Sequence, residues 1–178
     1  MIIMINGAFG VGKTTVANAL HKDLESSMLF DPEEVGFMLR NIIPEDIQQT
    51  EANTGDFQDL ELWKELTVKV AEHLLAKYQM NLIVPMTIRN PDYFQYIFNG
   101  FQSIDPQTFH FCLTASKATI HKRLRGRGEK EGNWSFEQTD KCLKAFEEYN
   151  FKEYIDTEHA TVDMMTKNII DRLYKILY

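Results

Sequence analysis

Gly7, Gly12, Lys13 and Thr14 stand within INGAFGVGKTT, residues 5–15, at the spacing G-x-x-x-x-G-K-[ST]. Glycines so placed let the backbone curl until successive N–H groups point inward at an anion, and a helix N-terminus behind them adds partial positive charge. The Lys13 amine would reach β and γ phosphate oxygens, and the Thr14 hydroxyl is a hard oxygen ligand of the kind Mg2+ takes. Ala8, Phe9, Gly10 and Val11 between the glycines, with Thr15 behind them, complete the expected phosphate-contacting loop.

Such a loop serves kinases, ATP-driven machines, GTPase switches and passive nucleotide binders alike, so other positions must separate them. A GTPase would carry an N-K-x-D base-reading motif, and none occurs. A motor or AAA-type ATPase would need an apolar strand ending in acidic residues, whereas LIVPMT ends in Pro85-Met86-Thr87. Asp31 closes a short strand candidate, where a carboxylate could accept a proton from a substrate hydroxyl or hold Mg2+ through water. Asp31-Pro32-Glu33-Glu34 is equally good helix-start chemistry, and the two roles are compatible.

Phe37 and Arg40, one turn apart on the helix after Asp31, read either as pocket lining or as a solvated face. Arg123 and Arg127, four apart, share a helical face and could stack on adenine and clamp phosphate; the alternative is a basic helix end favoured by the dipole. Arg125 points away from them and reads as the latter. GEKEGNWS, with two glycines and few apolar anchors, reads as a loop able to close over a nucleotide, with Lys130 reaching the γ phosphate, or as an ordinary exposed turn.

The elements that must position these residues alternate. MIIMI, MLF, NLIVPMTI, FHFCLT and EYID read as short buried strands, with Pro85 ending the central pairing of the third. Between and after them come helices in KTTVANALHKDL, EEVGFMLRNII, LELWKELTVKVAEHLLAKY, PDYFQYIFNGF, SKATIHKRLRGR, FEQTDKCLKAFEEY and Val162–Leu177. In the long helix Trp63, Leu66, Val70 and Leu74 form the expected buried stripe, and residues 44–57 read as a loop with some helix. Five alternations of strand and helix predict an α/β fold with a parallel sheet covered by helices on both faces. Residues 1–178 are read as one domain, with an arginine-bearing lid over about 123–135.

Apolar residues make up 44% of the chain and charged residues 25%, as a globular domain requires. Nineteen Lys and Arg against 26 Asp and Glu leave a net charge of −7, a field that repels nucleic acid and anionic lipid. An anionic substrate must therefore meet a local basic patch, and three of the six arginines fall within residues 123–127. Cys112 and Cys142 read as buried reduced thiols, and the apolar start is too short for a signal peptide or a membrane span, which points to the cytosol.

The blocks INGAFGVGKT, FDPEEVGFMLR, LIVPMTIRNPDYF, HFCLTASKATIHKRLRGR and YIDT, in that order over nearly the whole chain, resemble the tunicamycin-resistance ATP-binding proteins, relatives of the nucleotide and shikimate kinases. The resemblance implies a P-loop kinase fold with five parallel strands, ATP with Mg2+, and a nucleoside-like antibiotic bound or modified. It implies that Arg123, opening R-x-x-G-R, stacks on adenine and that Arg127 touches phosphate. It places Asp31 where similar kinases activate the acceptor hydroxyl, and Asp156 and Thr157 in a loop beside adenine. Two features depart: the chain stops at Tyr178, and Pro32-Glu33 follows Asp31 where an Asp-x-Asp pair is common in the related kinases.

Two functions follow as expectations. The first is an ATP-dependent small-molecule kinase, with Lys13, Arg123, Arg127 and Mg2+ on Thr14 stabilising the transferring group and Asp31 serving the acceptor. The second is a non-catalytic, ATP-dependent binder that sequesters an amphiphilic drug against Met86 and the aromatic stretch Tyr93, Phe94, Tyr96, Phe98 and Phe101. That stretch is also ordinary core material. The oligomeric state is not encoded in any motif.

Overall fold

β1 (Ile2–Gly7) is buried along its whole length, as its apolar, β-branched run requires. The structure is a computed structural model that describes residues 1–177; Tyr178, the end of the expected domain, lies outside the described residues. After β1 come α1 (Lys13–Asp23), β2 (Ser27–Leu29), α2 (Pro32–Ile42) and α3 (Glu45–Glu51). A 3-10 turn (Phe57–Asp59), α4 (Glu61–Tyr78), β3 (Asn81–Pro85), α5 (Pro91–Ile104) and β4 (Thr108–Thr114) follow. The chain continues through α6 (Lys117–Gly126), α7 (Trp134–Glu148), β5 (Tyr154–Asp156) and α8 (Val162–Leu177).

The five strands pair in the order β2-β3-β1-β4-β5, every neighbour parallel. Alternate residues of β1 feed two cores. Ile3 and Ile5 pack with Val16, Leu20, Ile120, Leu124 and Ile169, while Ile2 and Met4 pack with Leu39, Trp63, Ile97 and Phe101. Thus α1, α6, α7 and α8 cover one face of the sheet, and α2, α4 and α5 the other. β1 lies between β3 and β4, so its carboxyl end opens a crevice between strands whose connections leave in opposite directions. That is where an open α/β sheet holds its ligand.

Several expectations shift in detail. β2 and β5 are edge strands, with Leu29 and Asp156 exposed, so they are not covered throughout. In α4 the fully buried stripe is Trp63, Thr67 and Ala71, flanked by half-buried Leu66, Val70 and Leu74. α5 packs tightly beside this stripe, with Gly100 against Val68. The 44–57 segment holds α3 as a full helix although none of its residues is buried. Both cysteines are free and buried, and among the described residues no helix is long and apolar enough to cross a membrane.

Candidate active site

The phosphate loop lies at the carboxyl end of β1. Gly12 precedes α1 at φ 114° and Gly10 turns at φ 79°, both in the left-handed region that favours glycine. A methyl on Gly10 would also come within 2.9 Å of Leu124, so the loop can pack onto α6 only without a side chain there. Lys13 folds back over the loop, its Nζ donating to the Ala8 carbonyl at 3.0 Å and lying 5.4 Å from the centre of the Phe9 ring. Burial pulls its pKa down to about 8, although Glu33 and Asp31 pull the other way.

A cavity of about 150 Å³ sits in this loop, bounded by Gly12, Lys13, Thr14, Asp31, Glu33 and Arg127. The Thr14 hydroxyl and the Asp31 carboxylate are hard oxygen donors in one small space beside two cationic side chains. That donor set fits Mg2+ and phosphate oxygens. Asp31 is also the N-cap of α2, one oxygen accepting the Glu33 N–H at 2.9 Å, with Pro32 at the first helical position. Its pKa is raised by burial against the pull of that N–H.

Beside this cavity lies a larger one of about 380 Å³. Phe37 and Phe57 wall it from the α2 side, and Phe9 and Trp134 from the loop and α7; each pair meets edge to face, at 5.7 and 5.0 Å between ring centres. Phe9 and Glu33 line both cavities. The Glu33 carboxyl is held above its ordinary range, first by burial and then by the charge of Asp31. Arg40 sits at the rim, exposed, donating to the Gly55 carbonyl with its guanidinium 5.1 Å from the Phe57 ring centre.

Asn6 holds the two halves of the site in register. Its side-chain oxygen accepts the N–H groups of Gly7 and Ile88 at 2.8 and 2.9 Å, and its amide donates to the Ile88 carbonyl at 3.0 Å. The start of the phosphate loop is thereby fastened to the segment after β3 that carries Thr87 and Arg89.

Gly36 lets α2 lie against the 3-10 turn, since a methyl there would fall 2.2 Å from the Phe57 ring. The overpacking cost of about 1–3 kcal/mol exceeds the roughly 1 kcal/mol that alanine gains in helix propensity. Gly36→Ala is therefore expected to lower the urea midpoint, and a midpoint equal to or above wild type would show that Phe57 is not fixed.

The arginines divide. Arg123 donates to the Val11 carbonyl at 3.1 Å, to the Thr157 hydroxyl at 3.0 Å and to the Thr157 carbonyl at 2.6 Å. It ties the phosphate loop to buried Thr157 and the segment after β5, while neighbouring Asp156 is exposed. Glu158 fastens the same segment to the head of α6, accepting from Thr119, the Ser116 N–H and the Ser116 hydroxyl, which bring its pKa down to about 2. Arg127, at the end of α6, lines the phosphate cavity, and Arg125 pairs with Glu131 on the outside. Lys130 is exposed in the turn before α7 and lines neither cavity.

Of the residues singled out from sequence, Phe9, Gly10, Gly12, Lys13, Thr14, Asp31 and Arg127 come together around the small cavity, and Phe37 and Arg40 around the large one. Gly7, Ala8 and Val11 form the loop's buried underside, and Thr15 is exposed on α1. Met86 is a correction: it is 1% exposed in the core under α2 and α4 and lines neither cavity, because its side chain faces the sheet interior. The aromatic stretch on α5 also stays away. Phe101 is core, Tyr93 bonds Asp59 at 2.9 Å, and Phe94 packs on His110 and Phe151. Glu33, Thr87 and Gln138 were missed as site residues. Only Glu33 had a signal, since D-x-E at 31–33 repeats the spacing of Asp-x-Asp with one longer side chain.

A strand, a curled glycine loop and a helix at the centre of a five-stranded parallel sheet, with an arginine helix delivered to the phosphate cavity, define a P-loop kinase-like α/β protein. A protein-family profile described as AAA domain matches residues 2–149, and the chain belongs to that family. This corrects the expectation that an AAA-type protein is a poor fit: β3 does leave the sheet as Pro85-Met86-Thr87 without an acidic end, yet the profile match places the chain in that family.

The chain is similar to the solved tunicamycin resistance protein of Deinococcus radiodurans, with 29% identity, a TM-score of 0.77, and 97% of this chain and 94% of that one covered. A sugar kinase from Janibacter sp. HTCC2649 (16% identity, TM-score 0.63, 96% and 92% covered) shares the fold. So does shikimate kinase from Bacteroides thetaiotaomicron (16%, TM-score 0.58, 99% and 98% covered). Comparison with curated proteins gives no match.

Proposed function

We propose that this protein is an ATP-dependent small-molecule kinase acting on a hydroxyl of a nucleoside-like compound, as one domain with a closing lid over about 123–135. The observation that carries this reading is the shared wall: Glu33 and Phe9 line both the phosphate cavity and the larger cavity beside it. A donor phosphate in one and an acceptor hydroxyl in the other would meet at a carboxylate. The name of the Deinococcus relative supports an antibiotic as acceptor, and the field of a −7 chain speaks for a small molecule over nucleic acid. The cytosol, where ATP is available, is the proposed place of action.

Bound ATP with Mg2+ would supply the γ-phosphoryl group, with Thr14 and, through water, Asp31 as the residues that hold the metal. Glu33 takes the proton of the acceptor hydroxyl as its oxygen bonds phosphorus. Lys13 and Arg127 meet the negative charge gathering on the oxygen that leaves with the nucleoside diphosphate. Arg123 positions: with its amino groups held by Val11 and Thr157, it sets the distance between the loop and the segment beside the expected adenine site. Phe9, which lines both cavities, is the apolar side chain placed to keep water from between them.

The test is incubation with Mg2+ and ATP across a panel of nucleoside-like compounds, tunicamycin included, followed by mass spectrometry and phosphorus NMR. A product heavier by one phosphoryl group, with ADP in equal amount, is the expected result. ATP binding with every compound recovered intact would overturn it and favour sequestration.

Lys13 supplies a pH test. Its ammonium titrates near pH 8 in the free protein, and phosphate oxygens around it would raise that value in the complex. Below pH 7 both states are charged and binding moves no proton on Lys13. Above about 8 the free state has lost its proton, so ATP binding takes one up and affinity falls about tenfold per pH unit. Calorimetry at pH 8.5 in buffers of different ionisation enthalpy should show uptake approaching one proton; no uptake would mean the amine stays away from phosphate.

A further inference from the structure

The acceptor cavity carries an unspent polar edge. Gln138 on α7 is 7% exposed, lines that cavity, and has no side-chain hydrogen bond among the described residues. Trp134, Gln138 and Cys142, four residues apart, put one stripe of α7 along the wall. Thr87 lines the same cavity from the segment after β3, 5% exposed, its hydroxyl buried and without a partner among the described residues. The two groups differ: the Thr87 hydroxyl is fully buried, a state that native interiors rarely leave unpaired, whereas the Gln138 amide is not among the fully buried unpaired groups and so remains open to the cavity. The Gln58 amide in this wall is already spent on the Thr87 carbonyl at 2.7 Å, and α7 lies against the loop, with the buried Thr139 hydroxyl 2.9 Å from the Ser135 carbonyl and 3.3 Å from that of Phe9, and with the Trp134 ring edge to face on Phe9. Gln138 is thus held in place while its amide stays open.

The charges point the same way. The wall holds two carboxylates, Glu33 and Asp56, and two guanidinium groups, Arg40 and Arg89, so there is no net charge. Arg89 is paired with Asp56 at 3.5 Å, and Arg40 is engaged at the rim by the Gly55 carbonyl and Phe57. No buried cation is left over for a carboxylate. The aromatic pairs Phe37–Phe57 and Phe9–Trp134 come from the two sides of the sheet and suit a flat ring. At about 380 Å³ the space lies near the low end of the roughly 300–1,000 Å³ of small-ligand pockets, enough for a planar ring joined to one hydroxylated ring.

Resting on the kinase reading of this site, we propose that Gln138 is the specificity residue of the acceptor pocket, and that the acceptor is an uncharged nucleoside whose planar base presents a ring N–H beside a C=O. A primary amide holds a donor and an acceptor side by side and pairs with such an edge through two bonds, as glutamine does with base edges. Thr87 contributes wall surface on the opposite side, while its hydroxyl stays buried beneath that surface. An acceptor bearing a carboxylate is disfavoured because the wall has no net charge and its partly buried cation, Arg89, is already paired with Asp56.

The test is equilibrium binding of uridine, inosine, their N3- and N1-methyl derivatives, and shikimate to the full chain with ADP and Mg2+ present, repeated with Gln138→Leu. At least one unmethylated nucleoside should bind tenfold or more tightly than its methyl derivative and than shikimate, and Gln138→Leu should shrink the methyl discrimination to less than threefold. ADP affinity in the variant should stay within twofold of wild type, showing that α7 is intact, and Gln138→Glu, which keeps shape but loses the donor, should also lose discrimination. Discrimination unchanged in folded Gln138→Leu overturns the proposal, as does preferential binding of shikimate or no binding of any nucleoside. The two readings fail separately: Gln138-dependent discrimination without phosphorylated product refutes the kinase and keeps the pocket assignment, and product formation indifferent to Gln138 does the reverse.

Discussion

Lys13→Met is expected to lower phosphoryl transfer by about a thousandfold or more while the folded chain stays as stable as wild type. The size follows from what the amine faces. Lys13 and Arg127 are the cationic side chains of the phosphate cavity, and removing one fixed donor from a developing oxyanion costs about 10²–10³ in rate. Lysine also contributes to holding the ground-state phosphates, so transfer at subsaturating ATP suffers further. Stability should not fall, because the ammonium is desolvated without a bound anion and its pKa is already down at about 8. Methionine fills the space of the stem beside Phe9, and the single bond to the Ala8 carbonyl is a small loss. Single-turnover transfer from labelled ATP, with a thermal melt of the same sample, checks both halves. Transfer within tenfold of wild type would remove Lys13 from the phosphate site.

Glu33→Gln is expected to cost about 10²–10⁴ in turnover at saturating ATP, with little change in ATP affinity. Glu33 is the carboxylate that lines both cavities, and burial holds its pKa above the ordinary value, which makes it a better proton acceptor than a solvated glutamate. Glutamine keeps its shape and removes its basicity. Asp31→Asn is the partner experiment, because asparagine caps a helix as well as aspartate does and leaves the bond to the Glu33 N–H in place. Its cost should appear as a requirement for more Mg2+, whereas Asp31→Ala should cost about 1 kcal/mol of stability besides. The acid limb of the turnover profile should lie above the usual glutamate range in wild type and vanish in Glu33→Gln. If Asp31→Asn abolishes turnover and Glu33→Gln leaves it within a few fold, the two carboxylates have the opposite roles.

How much of this was written in the chain can be judged element by element. The loop was legible because its chemistry is local: glycine spacing, a lysine and a threonine on consecutive residues, an apolar strand before and a helix after. The parallel sheet was legible for a similar reason, since short apolar runs alternating with periodic helices leave few ways to cover both faces. Asp31 could be read as cap and as ligand because both roles depend on residues within three positions, and the structure shows the cap directly.

The acceptor pocket could not be read in this way. Glu33, Phe57, Thr87 and Gln138 come from α2, the 3-10 turn, the segment after β3 and α7, and only the crossing of the two helical layers at the end of β1 brings them to one cavity. Gln138 carries no signal in sequence, because an amide looks the same whether it meets water or a closed pocket. Met86 and the α5 aromatics differ from this: Met86 and Phe101 are turned into the core, Tyr96 is exposed, and Phe94 and Phe98 line a separate cavity of about 360 Å³ with His110 and Phe151, away from the phosphate loop. Thus the sequence by itself determined the fold and the phosphate loop with Lys13, all governed by short-range spacing, whereas which of the two paired arginines reaches the loop's cavity, Arg127 and not Arg123, was settled by tertiary contacts. The tertiary structure alone decided which carboxylate faces both sites and which polar groups are left without partners, because burial and shared cavities arise from contacts between residues far apart in the chain.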